Sequence, residues 1–123
     1  MAVRWGYRTV IIHGTQHMKS PAQAVIDFTL WRTREGHPTQ VQPRGIFSCP
    51  AVIDEAYHDC RLEIGDIPMK PGEQRRVQAW FLYPADVLPK LSIGKVVHFW
   101  TAGMIGEGVI VDIAPQADQL TPM

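Results

Sequence analysis

Residues 58–83 read HDCRLEIGDIPMKPGEQRRVQAWFLY and hold two alternating segments joined by a turn. In His58–Ile64, every second residue is apolar and its neighbours are charged. A period of two predicts a strand with one buried face. Arg75–Tyr83 repeats the pattern and ends at Pro84. The residues predicted to face the core are Cys60, Leu62, Ile64, Val77, Ala79, Phe81 and Tyr83.

The tetrapeptide Lys70-Pro71-Gly72-Glu73 predicts a tight turn before the second of these strands. Proline fixes φ at the first central position of a type II turn, and glycine accepts the positive φ required at the next. Four more strands are predicted, and Ala102-Gly103 connects the last two. These four strands are Val25–Thr33, Gly45–Cys49, Lys95–Thr101 and Ile105–Ile113. In the first, Ile26, Phe28 and Leu30 are predicted to face inward, and Pro50 is predicted to end the second.

Ten glycines and ten prolines divide the chain into short segments and leave no helical pattern of three or four turns. Residues 34–43 are predicted to form a polar loop, and residues 85–94 an irregular crossing. Short strands in this number favour closure, because a closed sheet has no free edges. We therefore expect an all-β fold, a small closed antiparallel β-barrel of about six strands.

The chain length of 123 residues suits one domain. We expect a leader over residues 1–20, the barrel over 21–115 and a flexible tail over 116–123. The segment before Met18 has three interpretations that the sequence leaves open: a disordered extension, an extra strand over Arg8–Ile12, or a start-site artefact.

The charge balance excludes a strong overall field, since twelve basic side chains face twelve acidic ones. Such a chain is not drawn as a whole to nucleic acid or to an anionic membrane. Its first twenty residues contain an apolar run of only three, at positions 10–12, which is too short for a signal peptide or a spanning helix. We expect a cytoplasmic protein, in which Cys49 and Cys60 remain free thiols.

The titratable residues show no nucleophile motif and no paired-carboxylate signature. They include His37, His58, His98, Asp54, Glu55 and Asp59. His58 and Cys60 could act as base and thiol, but neighbours two apart on one strand face are usually structural. His13 and His17 have helical ligand spacing without the glutamate of zinc proteases. We expect no catalytic residues, no cofactor and no metal.

Three tryptophans fall on the strand face opposite the predicted core: Trp31, Trp80 and Trp100. Tryptophan is enriched among the residues that dominate protein interfaces, so we predict that these three bind a protein partner. Two alternatives stay open. The leader, with Trp5 and Tyr7, could cover them, or a one-residue error in register would place them in the core.

A weaker prediction is a basic patch for nucleic acid, formed by four arginines with Lys70 nearby. Charges of this kind usually lie on a solvated surface. RNA binding would require them to lie beside exposed aromatic rings in one groove. The four are Arg32, Arg34, Arg75 and Arg76.

The C-terminal half carries a recognisable order of motifs: MKPGE and VQAWF at 69–73 and 77–81, then VVHFWTAGMIGEGVI at 96–110. This order resembles the third, C-terminal β-barrel domain of elongation factor Tu. There, a proline-glycine-acid turn opens a long strand and a final hairpin ends in glycine-x-glycine-valine, as in Gly106-Glu107-Gly108-Val109. Upstream, Glu35–Thr39 and Arg44–Phe47 are similar to a loop and strand of that domain. The resemblance covers residues 25–113 and extends to small stand-alone bacterial proteins built from this barrel.

The resemblance implies a fold and a link to translation, but not nucleotide hydrolysis, because the chain has no phosphate-binding GxxxxGK[ST] loop. It does not imply tRNA contact either, since Thr101-Ala102-Gly103-Met104 lacks the arginine and acidic residue of the family's terminal hairpin. We therefore expect a non-catalytic protein-binding module. Two alternatives are an immunity or antitoxin protein that blocks a bacterial toxin, and an RNA- or tRNA-binding module. No prediction of oligomeric state follows.

Overall fold

The computed structural model describes residues 20–34 and 36–115. Six of its strands form one closed antiparallel barrel in the order β1-β6-β5-β4-β7-β8, which confirms the predicted fold class. A two-stranded hairpin, β2 and β3, forms a separate sheet. The elements are β1 Ala24–Leu30, β2 Thr33–Arg34, β3 His37–Pro38, β4 Gly45–Ile53, β5 Ala56–Gly65, β6 Gln74–Phe81, α1 Pro84–Val87, a 3-10 turn Leu88–Lys90, β7 Val96–Trp100 and β8 Met104–Ile113.

The core fills the inside of the barrel, and the alternating patterns predict its faces correctly on β1, β5 and β6. Phe28 and Phe99 meet edge to face at its centre, with ring centroids 5.1 Å apart. Such pairs contribute beyond the apolar area that they bury. The fully enclosed large side chains include Ile26, Phe28, Leu30, Ile53, Leu62, Met69, Val97, Phe99, Ile105 and Ile110.

Two glycines of β8 lie on its inward face, where they make room for these rings. A Cβ at Gly106 would lie 2.4 Å from the Thr29 carbonyl oxygen. One at Gly108 would lie 2.3 Å from Cγ2 of Ile26 and 3.0 Å from the ring of Phe99. The glycine-x-glycine motif is therefore required by packing between β8 and β1.

The turn predicted at residues 70–73 is present. Gly72 has φ +90°, and the Glu73 N–H donates to the Lys70 carbonyl at 2.9 Å, as a type II turn requires. The Glu73 carboxylate also accepts the Lys70 N–H at 3.0 Å. The second expected turn, at Ala102 and Gly103, is also present, with φ of 55° and 127°.

The prediction that Pro50 ends its strand is wrong, because β4 continues to Ile53. Proline is tolerated in a strand where its missing N–H has no partner to lose. Pro50 pairs with Asp59 of β5 on one side, while β7 pairs with β4 only at Ala51 and Val52. Pro50 thus lies just beyond the end of the β4–β7 ladder.

Two other boundaries differ from prediction. Tyr83 was expected in the core but is 65% exposed, because β6 ends at Phe81 and the chain turns into α1 at Pro84. The polar loop predicted over residues 34–43 contains most of the β2–β3 hairpin, and its Thr39 and Pro43 are buried. The crossing predicted over residues 85–94 holds most of α1 and the 3-10 turn.

Residues Ser20–Gln23 attach the start of the described chain to β6, and we call them the N-terminal clasp. The Gln23 N–H donates to the Ala79 carbonyl at 3.0 Å, and its side-chain oxygen accepts the Phe81 N–H at 2.6 Å. The predictions for Trp5, Tyr7, Arg8–Ile12, the two N-terminal histidines and the tail concern residues outside the described ranges. In the part of the chain that is described, no helix is long and apolar enough to cross a membrane.

Candidate functional site

Four aromatic rings lie on the outer face of the barrel and make two edge-to-face contacts. We call Trp31, Tyr57, His98 and Trp100 the aromatic strip. The ring centroids of Trp31 and His98 are 6.0 Å apart, and those of Tyr57 and Trp100 are 5.7 Å apart. Both distances lie in the range of favourable aromatic pairs.

The strand register explains why these rings come together. His98 and Trp100 are alternate residues of β7, whose inward residues Val97 and Phe99 are buried. On the neighbouring strands, Val52 of β4 pairs with His98 on one side and with Tyr57 on the other. Trp31 follows β1, and its backbone N–H donates to the Ile105 carbonyl at 2.9 Å.

The strip is accessible to solvent at one end and half-buried elsewhere. Tyr57 is 58% exposed, whereas Trp31, His98 and Trp100 are half-buried. Val96, on the same face of β7, is 48% exposed. The chain therefore presents rigid rings whose outer edges remain free for contact.

Trp80 does not belong to this exposed set, so the prediction of its exposure is wrong. It lies on the outer face of β6, between inward Ala79 and Phe81, but is only 6% exposed. Its indole N–H donates to the Ser20 carbonyl at 2.9 Å, which shows that the N-terminal clasp covers it. Covering by the N-terminal chain, one of the open alternatives, thus applies to this tryptophan through Ser20.

A shallow groove of about 240 Å³ lies on the outer face of β4 and β5. Its lining includes two cross-strand pairs, Ser48 with Arg61 and Pro50 with Asp59. In the same register, Trp80 is the neighbour of Arg61 on β6. The groove therefore begins beside the covered tryptophan.

The four arginines of the predicted basic patch do not form one free cationic surface. Arg75 pairs with Glu73 and donates to the carbonyls of Ile64 and Ile67 at 3.1 and 2.6 Å. Arg76 pairs with Asp27 through two hydrogen bonds of 2.8 and 3.1 Å. Both guanidinium groups are thus committed to acceptors in the barrel.

The other two arginines lie in different places. Arg34 donates to the carbonyl of Thr101, the residue after Trp100, at 3.2 Å. Arg32 is exposed, and its side chain lies against Gly72: a Cβ on that glycine would be 3.0 Å from Arg32 Nε. Only Arg34 of the four therefore has a contact beside the aromatic strip.

The two cysteines are free, buried and directly opposite each other on β4 and β5. Burial raises the pKa of the Cys49 thiol to about 12 and raises that of Cys60 well above its ordinary value. A catalytic thiol requires the opposite shift, because the thiolate is the nucleophile. The described residues contain no group of three or more His, Cys, Asp or Glu side chains that could hold a metal ion.

Sequence reasoning missed Tyr57 and His98 as members of the site. Each lies on the outward face of its strand. Tyr57 shares that face of β5 with Asp59 and Arg61, and His98 shares that face of β7 with Trp100. Period-two alternation extended by one residue at the start of β5 would have found Tyr57. The contact between Tyr57 and Trp100 depends on how β4 lies between them, which only the assembled barrel shows.

The comparisons with known proteins leave the family open. No protein-family model matches this chain. The search of curated proteins likewise gives no match.

Proposed function

We propose that this chain is a non-catalytic module that binds a protein partner through the aromatic strip. The observation that carries the proposal is the pair of edge-to-face contacts, Trp31 with His98 and Tyr57 with Trp100, on the outer face of a closed barrel. Aromatic residues with accessible edges are the side chains most often responsible for binding energy at protein interfaces.

The mechanism is binding by a rigid surface. Three of the rings belong to residues of barrel strands, the backbone N–H of Trp31 donates to Ile105 of β8, and each ring contacts a neighbouring ring. Little side-chain freedom is lost when such a surface meets a partner, so more of the contact energy appears as affinity. The high pKa of the two buried thiols supports a role without covalent chemistry.

The proposed family is that of the third domain of elongation factor Tu, with a partner from the translation apparatus. The closed six-stranded antiparallel barrel and the type II turn at Pro71-Gly72 support this assignment. A toxin blocked by this chain as an immunity protein or antitoxin is the alternative kind of protein partner, and a toxin gene beside its own would favour it.

A second candidate function, binding of single-stranded RNA or tRNA, has one observation in its favour. Arg34 is held at the carbonyl of Thr101, next to Trp100. Cations beside aromatic rings are typical of surfaces on which bases stack. Such binding would weaken steeply with salt, whereas an aromatic protein interface would depend on salt weakly.

The test is a comparative pull-down from lysate of the source organism, followed by titration of any captured protein in purified form. The binding variant carries Tyr57→Ser and Trp100→Ser. The matched control is Ile67→Ser, which removes a side chain that is 72% exposed and lies outside the strip. We expect wild type and control to bind one protein with equal affinity, and the binding variant to lose roughly a hundredfold.

Circular dichroism of each variant establishes that the barrel is folded before binding is compared. Equal affinity of all three proteins for the captured partner would overturn the proposal. A captured RNA whose affinity falls with salt, and falls further in an Arg34→Ala variant, would establish the second candidate instead.

A further inference from the structure

One acidic side chain lies on the outer surface that carries the aromatic strip. Glu107 is on the outward face of β8, between inward Gly106 and Gly108. It pairs in register with His98 of β7 on one side and with Thr29 of β1 on the other. Side chains of directly opposite residues are close neighbours, because their Cβ atoms lie about 4.5–5.5 Å apart. Glu107 therefore lies directly beside His98.

The contact between Trp31 and His98 passes over the same strand. Trp31 follows β1 and His98 lies on β7, while β8 lies between these two strands. The centroids of their rings are nevertheless 6.0 Å apart. The two rings therefore meet above the outer face of β8, where Glu107 is the residue in register with His98. A carboxylate and two aromatic rings thus share one small area of the surface.

Glu107 forms no ion pair with a described residue. The acidic members of the ion pairs in that part of the chain are Glu73, Asp27 and Asp54. Arg34, the arginine beside the strip, donates to the Thr101 carbonyl instead. Because Glu107 is half-buried, its carboxylate loses part of its hydration without gaining a cationic partner. A bound cation would offset that loss.

We propose that Glu107, Trp31 and His98 form a binding site for an arginine side chain of the protein partner. A planar guanidinium stacks on aromatic rings and donates two parallel hydrogen bonds to a carboxylate, so it matches both features of the site. A cation over a tryptophan ring is also attracted by the ring itself. A phosphate group would be repelled by Glu107, so the site favours a protein over RNA. This inference rests on the proposed function and adds the chemistry that the partner presents.

The first test titrates the full-length protein with the capped tripeptide acetyl-Gly-Arg-Gly-amide and follows backbone amide and indole signals by NMR. The matched probe carries citrulline in place of arginine, which keeps the shape of the side chain and removes its charge. We expect the arginine peptide to shift the signals of Trp31, His98 and Glu107 to saturation, and the citrulline peptide to bind at least about fivefold more weakly. Absence of saturable shifts, or equal affinity for the two peptides, would overturn the proposal.

The second test changes the protein. Glu107→Gln removes the charge and keeps the shape of the side chain, and the control Asp86→Asn removes one negative charge from an exposed position of α1. We expect the first variant to bind the arginine peptide at least about fivefold more weakly than wild type, and the control to bind it equally. Unchanged binding by folded Glu107→Gln would overturn the proposal. The comparison of the two peptides needs no variant, so it decides the matter if Glu107→Gln does not fold.

The partner captured in the pull-down separates this inference from the proposed function. We expect Glu107→Gln to lower the affinity for that partner about tenfold, and Asp86→Asn to leave it unchanged. Loss of affinity in the Tyr57→Ser, Trp100→Ser variant but not in Glu107→Gln would overturn the arginine site alone. Full affinity in both would overturn the proposed function, and with it the assignment of the arginine to the partner.

Discussion

Gly106 and Gly108 show how single residues set the packing of this barrel. Both lie on the inward face of β8, opposite Leu30 and Phe28 of β1, where a side chain would collide with its neighbours. Protein interiors are packed too densely to absorb an added methyl group without a shift. The ion pair of Asp27 and Arg76 is the contrasting case, a surface contact that the interior does not constrain.

Gly108→Ala should destabilise the protein by about 1–3 kcal/mol, since its Cβ would lie 2.3 Å from Ile26. Urea denaturation measures the change in the free energy of unfolding. Ser92→Ala, at an exposed loop position, is the control and should change stability by less than about 0.5 kcal/mol. Equal stability of the glycine and alanine proteins would mean that β1 and β8 are less closely packed than described.

Asp27 gives a pH-dependent prediction. Hydrogen bonds from Arg76 lower the pKa of its carboxyl below the ordinary value of 3.8. When folding lowers the pKa of a carboxyl, the folded protein gains stability at any pH above the pKa of the unfolded state. This gain is lost as the pH falls through the pKa of the folded state. Asp27→Asn should therefore destabilise the protein at pH 7, and the difference from wild type should shrink as the pH falls below 3.8.

Asp59→Asn is the matched control for that experiment, because it removes an exposed carboxylate that forms no ion pair among the described residues. Denaturant unfolding from pH 7 to pH 2 gives the comparison. A difference between wild type and Asp27→Asn that stays constant over this range would contradict the expected linkage.

At the scale of elements, the N-terminal clasp explains why an outward tryptophan is buried. The Ser20 carbonyl accepts the indole N–H of Trp80. Gln23 is hydrogen-bonded to Ala79 and Phe81 of β6. Its backbone carbonyl also accepts the N–H of Ala114, the residue that follows β8, at 2.9 Å. The clasp thus ties the entry of β1 to two other parts of the barrel. Its contribution should be large for so short a segment.

Gln23→Ala should cost about 1–3 kcal/mol, because it leaves the part-buried N–H of Phe81 without an acceptor. Gln78→Ala is the control: the same change on β6, at a side chain with no hydrogen bond to a described residue. The two variants are compared by urea denaturation. If they lose stability equally, the Gln23 hydrogen bond contributes nothing specific.

At the scale of the whole molecule, closure joins the first and last strands. β1 pairs with both β6 and β8, so removing any one strand opens the barrel. All six strands enclose one core, and no part of the described chain has a second one. Small single-core domains usually unfold in one step.

Urea unfolding should therefore give coincident transitions by far-ultraviolet circular dichroism and by tryptophan fluorescence. The described tryptophans report from three places: after β1, under the N-terminal clasp and on β7. A fluorescence midpoint below that of circular dichroism would show that the clasp or the strip opens before the barrel.

The sequence by itself determined the presence of the six barrel strands, the inward faces of β1, β5 and β6, and the turn at residues 70–73. These are local properties, because alternation fixes the two faces of a strand and Pro71-Gly72 fixes its own backbone. The sequence could not determine where β4 ends. A proline stops a strand only where a neighbour needs its N–H, and that depends on how far β7 extends.

Tertiary structure alone decided which outward residues remain accessible. Trp80 and Tyr57 both lie on outward positions, yet one is 6% and the other 58% exposed. The difference arises because the N-terminal clasp, more than fifty residues away in sequence, folds over Trp80 and not over Tyr57. Alternation reports which side of a strand a residue occupies, but exposure depends on what the rest of the chain places against that side.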